Sequence, residues 1–241
     1  MWFIGDVHTR FRAYMELIEH APGTGDAMDC SLQVGDMGIG LPGRRVGTGL
    51  GGDYKPLCNE DPLFAGDEVL RTNAPVLSAN HRFLRGNHDD PAMCAGHPCY
   101  LGDYGFLPSM ELFFVSGGYS ADYVNRYLGV DLWEDEELPA DVLLGVVALY
   151  ADSKPRIVVS HECPTVVKGA VVGNIGKIEK ASRTELALEA MHRAHQPELW
   201  IFGHHHAHVD TEAGGTRFVG LDELGHEPVG ECTFDIPGLA W

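Results

Sequence analysis

The chain has 241 residues, a formal net charge of −18, and ordinary fractions of hydrophobic (44%) and charged (22%) residues. This composition excludes a largely disordered chain, and the length fits one large domain or two small ones. One domain spanning residues 1–241 is expected, because the candidate functional residues described below run from residue 6 to residue 206. The negative charge repels polyanions and argues against binding of long nucleic acids. It does not exclude a small phosphorylated substrate, because metal ions can reverse the potential inside a cleft.

Short runs of β-branched and aromatic residues predict buried strands that are interspersed with helices. Examples of these predicted strands are Trp2–Ile4, 32–34, Leu112–Val115, 157–159, Leu199–Phe202 and 218–219. One helix is predicted where Phe11, Met15 and Ile18 recur on one face, and another where Ser182 and Glu185 form a capping box. In the second helix four residues are expected to share one side, namely Ala187, Ala190, Met191 and Ala194. Strands mixed with helices favour an α/β or α+β fold.

A glycine-rich stretch over residues 38–52 interrupts this pattern. It contains seven glycines, Pro42 and the pair Arg44 and Arg45, and this composition predicts a loop. The loop could be a solvated excursion or a lid that grips substrate, and in the second case Arg44 and Arg45 would contact the substrate.

Five short polar segments each follow a predicted strand. They are Asp6-Val7-His8, Gly35-Asp36, Gly86-Asn87-His88-Asp89, Ser160-His161-Glu162 and Gly203-His204-His205-His206. Groups at the carboxyl ends of strands converge on one edge of a sheet. Carboxylate, imidazole and amide groups without cysteine suit Mn, Fe or Zn, and seven such ligands suffice for two ions that share a carboxylate. In regular extended backbone, Asp6 and His8 would share one face, and His205 would point away from its neighbours.

Taken together, these segments resemble the calcineurin-like metallophosphoesterases, whose pattern is DxH, GD, GNH(D/E), H and GHxH. The resemblance spans residues 6 to 206 and implies a β-sandwich of two sheets flanked by helices, an αββα arrangement. It implies two divalent metal ions, with Mn expected and Fe, Zn or Ni as alternatives. One ion would be held by Asp6, His8, Asp36 and His206, and the other by Asp36, Asn87, His161 and His204.

The same resemblance assigns catalytic roles. A hydroxide bridging the two ions would attack the phosphate, His88 would act as the general acid, and Asp89 would orient His88. A second similarity lies in residues 117–122, Arg126, Trp133, Glu136 and Glu137, which resemble a GGxxSxDxxxR…W…E pattern of small bacterial and phage members. Arg126 is therefore a candidate phosphate contact, and a structural ion pair is the alternative for it.

One departure from the superfamily narrows the expected substrate. The Asp-Arg pair that follows the GD motif in protein Ser/Thr phosphatases is absent, since Met37-Gly38-Ile39-Gly40 stands there instead. A phosphodiesterase or nucleotide phosphatase is therefore expected. The alternatives are a protein phosphatase, a nuclease for ends or short oligonucleotides, and a non-catalytic scaffold. Without a CxxC pair, a basic N-terminal region or a long apolar run, the chain is expected to be cytoplasmic and not membrane-bound.

Overall fold

The computed structural model describes residues 1–41, 44–46, 53–55, 77–172, 181–226 and 228–241, with the backbone alone for 44–46, 53–55 and 172. Two mixed β-sheets form the centre of the fold. The four-stranded sheet has the order β12-β1-β2-β5, and its strands are β1 (Trp2–Ile4), β2 (Ser31–Gln33), β5 (His81–Phe83) and β12 (Thr233–Asp235). Strands β1, β2 and β5 run parallel, whereas β12 pairs antiparallel with β1.

The six-stranded sheet has the order β10-β11-β9-β8-β7-β6. Its four inner strands run parallel, and the two edge strands β6 and β10 pair antiparallel with their neighbours. The strands are β6 (Tyr104–Leu107), β7 (Leu112–Val115), β8 (Ile157–Ser160), β9 (Leu199–Phe202), β10 (Val209–Ala213) and β11 (Thr216–Gly220).

Both sheets are buried on both faces, because neighbouring residues of one strand enter different hydrophobic clusters. Phe3 faces the cluster between the sheets, whereas Ile4 packs on the outer face of the four-stranded sheet. In the other sheet, Ile201 lies between the sheets, and Trp200 packs on the outer face. This period of two explains why the inner strands read as continuous apolar runs.

Helices cover the two outer faces of the sandwich. Helix α1 (Phe11–Glu19) packs on the four-stranded sheet through Phe11, Tyr14, Leu17 and Ile18. Helices α3 (Ala140–Ser153), α4 (Thr165–Val172) and α5 (Arg183–Ala194) cover the six-stranded sheet, and α2 (Pro91–Ala95) is a short helix after the GNHD segment. The arrangement confirms the predicted αββα sandwich. Within the ranges described, no helix is both long and apolar enough to cross a membrane.

The predicted elements are present, with two differences in detail. The capping box at Ser182 and Glu185 opens α5 as expected, but Ala190 and Ala194 are exposed. The predicted Ala187 and Met191 are buried, and they share the buried stripe of α5 with Thr184, Leu188 and His192. This stripe follows the i, i+3, i+4 spacing of a helix face that packs on a sheet. The alanine positions predicted a face that is rotated from the buried one.

The glycine-rich stretch contains a short strand that the sequence did not predict. Strand β3 (Arg44–Val46) pairs antiparallel with β4 (Asp53–Lys55) as a separate two-stranded sheet. The side chains of Arg44 and Arg45, and most other residues of 42–52, lie outside what the structure describes. The proposed contact of these arginines with substrate therefore stays a prediction.

Candidate metal centre

The five polar segments meet at one edge of the sandwich, where strands of both sheets end. Strands β1, β2 and β5 lead to Asp6, Asp36 and Asn87, and strands β8 and β9 of the other sheet lead to His161 and to the histidines 204–206. Hydrogen bonds join the two groups of loops across the sandwich. The backbone N–H of His204 lies 3.1 Å from Asp6 Oδ2, and the His161 ring lies 3.1 Å from the Val34 carbonyl oxygen.

Four of the predicted metal ligands have backbone conformations that residues with a side chain rarely adopt. The φ angles are +47° at His8, +58° at Asp36, +68° at His204 and +48° at His206. Such residues cost about 1–3 kcal/mol each and persist where the surrounding structure holds them. Here the N–H groups of Val7 and His8 donate to the Asp36 carbonyl oxygen at 3.0 and 2.8 Å.

The turn at His8 corrects the expectation that Asp6 and His8 share one face of a strand. Strand β1 ends at Ile4, and His8 lies in a turn with positive φ. The turn still brings the two side chains together, with His8 Nε2 3.8 Å from Asp6 Oδ2.

Two glycines allow the loops to approach the buried carboxylates closely. A Cβ atom at Gly86 would lie 2.1 Å from Asp36 Oδ1, and one at Gly203 would lie 2.3 Å from Asp6 Oδ1. No larger residue fits at either position without moving a carboxylate or the backbone. This explains the glycines of the GNHD and GHHH segments.

A first group of possible metal ligands consists of Asp6, His8, Asp36 and His206. One ligand atom from each of these residues lies within 4.8 Å of the others. The Nε2 atom of His206 is 3.2 Å from Asp6 Oδ2 and 2.8 Å from His8 Nε2. The structure thus brings together all four residues predicted for one ion.

A second group consists of Asp36, His161 and His204, and the Asn87 amide joins it. Asn87 Oδ1 lies 3.0 Å from His161 Nε2 and 2.9 Å from His204 Nδ1, and His161 Nε2 lies 3.4 Å from Asp36 Oδ1. These are the four residues predicted for the other ion. Asp36 is the residue that the two groups share.

The Asp36 carboxylate tests whether these groups fit cations. Its Oδ1 atom accepts a hydrogen bond from the His88 N–H at 2.7 Å, whereas its Oδ2 atom is buried and has no hydrogen-bond partner. A buried carboxylate oxygen without a partner is destabilising unless a cation or proton compensates it. With imidazole nitrogens and a second carboxylate nearby, the donor set fits divalent cations of the Mn, Fe or Zn type.

The electrostatics of Asp36, His8 and His161 fit a bound cation. Burial raises the pKa of Asp36 well above its usual range, and the neighbouring Asp6 and Asp89 raise it further. Burial also lowers the pKa of His8 to about 4 and that of His161 to about 3, so both rings are neutral near pH 7. Neutral rings offer a lone pair to a cation, and a cation would relieve the repulsion between the carboxylates. Glu162 raises the pKa of His204 to about 9 and Asp6 raises that of His206, so these two rings must release a proton when they bind a metal.

Three ligands of the second group are held by partners on their far side. The ring nitrogen Nδ1 of His161 faces the Val34 carbonyl, and His204 Nε2 lies 3.1 Å from Glu162 Oε2. The Asn87 Nδ2 atom donates to Ser120 Oγ at 3.1 Å, which leaves Oδ1 directed at the histidines. Such partners fix which atom of a ligand is available to a metal. The sequence did not identify Glu162 or Ser120 in these roles.

His205 lies behind the second group. Its Nε2 atom is 2.7 Å from Glu162 Oε1 and 3.3 Å from Cys163 Sγ. These three residues form a further group of possible metal ligands. In this structure the Nε2 atom of His205 faces both Glu162 and Cys163. Burial raises the pKa of the Cys163 thiol, so this sulfur remains protonated, and the hydrogen bond from His205 to Glu162 accounts for the geometry.

His88 and Asp89 require a correction of the predicted His–Asp pair. Both carboxylate oxygens of Asp89 face backbone amides, accepting from Met37, Gly38 and Ile39 at 3.2, 2.6 and 2.8 Å and from Gly86 at 2.8 Å. Asp89 therefore joins the loop after β2 to the loop after β5. It does not orient the His88 ring, because its hydrogen bonds point to the amides.

Arg126 is the residue that contacts the His88 ring instead. Its Nη1 and Nη2 atoms lie 3.2 Å from His88 Nδ1 and 2.6 Å from His88 Nε2, and its Nε atom donates to Asp122 Oδ1 at 2.5 Å. Burial and the Arg126 charge both lower the pKa of His88 well below its usual range. Arg126 thus forms an ion pair, which was one of its two predicted roles, and it also lies beside the candidate metal centre.

Comparison with known proteins places the chain among phosphoesterases. The sequence pattern of a family described as calcineurin-like phosphoesterase matches residues 1–208. No curated protein sequence matches the chain. The crystal structure of the phosphopantetheinyl hydrolase (PptH) from Mycobacterium tuberculosis is similar with a TM-score of 0.45 and 13% identity, over 99% of this chain and 95% of that one.

A second similar structure is the solution structure of protein TM1076 from Thermotoga maritima. Its TM-score is 0.34 and its identity 16%, over 98% of this chain and 91% of that one. Because both TM-scores lie below 0.5, neither likeness bears on function.

Replacing the shared carboxylate should weaken both predicted metal sites together. Asp36→Asn keeps the Oδ1 acceptor for the His88 N–H but removes the charge that both ligand groups use. We expect Asp36→Asn to lose both ions in metal analysis after equilibrium dialysis. Asp6→Asn is the matched control, because Asp6 belongs to the first group alone, and it should retain one ion. An Asp36→Asn protein that keeps one full site would contradict the sharing.

Replacing the carboxylate behind His204 should weaken metal binding without removing a ligand. Glu162→Gln loses the charge that holds His204 Nε2, and partners of this kind contribute about 10- to 100-fold in metal affinity. Competition with a chelator of known affinity would measure the change. Glu198→Gln is the control, because Glu198 is 71% exposed and pairs with Arg156 at the surface. Equal metal affinity in the two variants would contradict this role of Glu162.

Proposed function

Because the chain belongs to the calcineurin-like phosphoesterase family, we propose that it hydrolyses small phosphate esters with two divalent metal ions, as a phosphodiesterase or nucleotide phosphatase. The observation that carries this proposal is the Asp36 carboxylate, which is shared by two ligand groups and has a buried oxygen without a hydrogen-bond partner. A single structural ion would not explain seven ligand residues in two groups that share one carboxylate.

The proposed ion sites follow the two groups. Asp6, His8, Asp36 and His206 would hold one ion, and Asp36, Asn87, His161 and His204 would hold the other. Oxygen and imidazole donors favour Mn, with Fe, Zn or Ni as alternatives. When bound, the ions would supply a water of lowered pKa and positive charge for the phosphoryl oxygens.

His88 is proposed to assist departure of the leaving oxygen as a general acid. Its backbone N–H donates a hydrogen bond to Asp36 Oδ1. Its ring is 19% exposed, and Nε2 of the ring lies 3.9 Å from Asp36 Oδ2. The ring thus stands between the shared carboxylate and solvent, where a leaving group would depart. Burial and the Arg126 charge lower the pKa of His88 in the bare protein, so protonation of the ring would depend on a bound phosphate drawing the Arg126 charge away from it. The ring can then protonate the leaving oxygen or stabilise the charge that develops on it.

Arg126 is proposed to contact the substrate phosphate. Its side chain is 5% exposed and is anchored by Asp122 through Nε. Its two Nη atoms face the His88 ring, and phosphate oxygens would replace that ring as their partners. A fixed guanidinium matches two phosphate oxygens with little loss of side-chain entropy. Its contact with both ring nitrogens of His88 places it on the same side of the site as the proposed general acid.

Hydrolysis of bis-p-nitrophenyl phosphate and p-nitrophenyl phosphate tests the proposal. Metal-stripped protein would be assayed with Mn, Zn, Ni and Mg added back singly. Metal-dependent turnover that favours the diester supports a phosphodiesterase, and turnover that favours the monoester supports a nucleotide phosphatase. A folded protein that binds metal but hydrolyses neither ester would contradict the proposal and favour a scaffold.

Removing the proposed general acid should reduce turnover without releasing metal. We expect His88→Ala to retain both ions in metal analysis and to lose about 10²- to 10⁴-fold in kcat. His20→Ala, at the exposed end of α1, is the matched histidine control and should keep wild-type kcat. Loss of metal from His88→Ala, or an unchanged kcat, would show that the assigned role is wrong.

A further inference from the structure

A short segment beside the site exposes an unusual concentration of large apolar side chains. Among the described residues, eleven large hydrophobic side chains are exposed, and five of them lie within residues 123–130. They are 43–66% exposed, and we call them the apolar rim: Tyr123, Val124, Tyr127, Leu128 and Val130. Single exposed hydrophobic residues need no explanation, whereas a cluster marks a binding surface.

Two charged side chains of the segment, Arg126 and Asp131, are buried, while its large apolar side chains are exposed. Arg126 is buried against His88 and Asp122, and the Asp131 carboxylate is buried and accepts from the Tyr127 N–H at 2.6 Å. The 3₁₀ turn at Tyr123–Asn125 buries none of its residues. Internal hydrogen bonds therefore hold the rim side chains outward, in the reverse of the usual surface pattern.

The segment that carries the rim begins at the candidate metal centre. A Cβ atom at Gly118 would lie 3.0 Å from the His161 ring and 3.6 Å from His204 Nδ1. The next residue, Tyr119, is half-buried, and its ring centroid is 6.2 Å from that of Tyr123. Tyr119 and Tyr123 thus link the second ligand group to the rim, with the Asp122 carboxylate between them in the chain.

We propose that the apolar rim binds the alcohol portion of the substrate, so that the preferred substrates are small phosphate esters whose alcohol carries an aromatic or extended apolar group. This inference rests on the proposed function. A phosphate held by the ions and Arg126 would direct its ester oxygen toward His88, and Arg126 reaches His88 from within the rim segment. The group attached to that oxygen would therefore meet the rim.

The charge of the chain favours a small occupant over nucleic acid. With a formal net charge of −18, the protein repels a polyanion, whereas a single phosphate ester with an apolar alcohol carries little charge. The rim also offers aromatic rings and aliphatic side chains without a cationic group of its own, since Arg126 points inward. Apolar contact is the interaction that such a surface provides.

Binding of two phosphonates to the Mn-loaded protein tests this inference apart from turnover. Phenylphosphonate and methylphosphonate present the same charged group with and without an aromatic ring, and calorimetry would give both affinities. We expect about a tenfold preference for the phenyl compound, from burial of part of its ring against the rim. In the double variant Tyr127→Ser/Leu128→Ser the preference should fall to about twofold, with the affinity for methylphosphonate unchanged.

The matched control changes exposed leucines outside the segment that carries the rim. Leu144→Ser/Leu149→Ser on α3 removes exposed apolar surface, because these side chains are 74% and 41% exposed, and it should retain the tenfold preference. Equal affinity of wild-type protein for both phosphonates, with metal-dependent ester hydrolysis intact, would overturn the rim inference and leave the proposed function standing. Absence of both hydrolysis and phosphonate binding would overturn both.

A third outcome concerns association between protein molecules. Light scattering on the wild-type protein and on the Tyr127→Ser/Leu128→Ser variant would report their oligomeric states. A change of oligomeric state without a change in phosphonate preference would overturn the inference and identify the rim as a protein interface.

Discussion

The Asp36 carboxylate lies where two groups of metal-binding side chains meet, and the rest of the site is arranged around it. One oxygen accepts the His88 N–H, and the other is buried without a partner. Burial and two neighbouring carboxylates raise its pKa, so this position is unfavourable for a negative charge in the bare protein. Two bound cations would make the negative charge favourable, because they would compensate the buried carboxylates.

The Asp36 carboxylate is held in place by an unfavourable backbone conformation, and hydrogen bonds stabilise that conformation. The positive φ at Asp36 is maintained by amide donors from Val7 and His8, and Asp89 fastens the following loop through three amides. The same Asp89 also binds the amide of Gly86, so the two loops that carry Asp36 and Asn87 move together. Asp89 thus positions these two loops, whereas Arg126 contacts the His88 ring.

The inner strands and the metal ligands could be predicted from the sequence. The edge strands of the sheets and the side-chain contacts that support the ligands could not. Inner strands are apolar on both faces, and each ligand segment follows such a strand, so both leave local signals. The missed strands β6, β10 and β12 lie at sheet edges, where β10 and β12 carry polar residues beside apolar ones and β6 contains Gly105. The contact of Arg126 with His88 joins residues 38 apart, and no local pattern specifies which charged side chain turns inward.

The two sheets supply different halves of the candidate metal centre. The four-stranded sheet contributes both carboxylates, the amide and one imidazole through Asp6, Asp36, Asn87 and His8. The six-stranded sheet contributes imidazoles alone through His161, His204 and His206. Ions held between them would act as cross-links across the open edge of the sandwich. Folding and metal supply are then linked by mass action, and free metal at 100 times its Kd would stabilise the native state by about 2.7 kcal/mol per site. A cell short of metal would therefore hold a less stable protein as well as an inactive one.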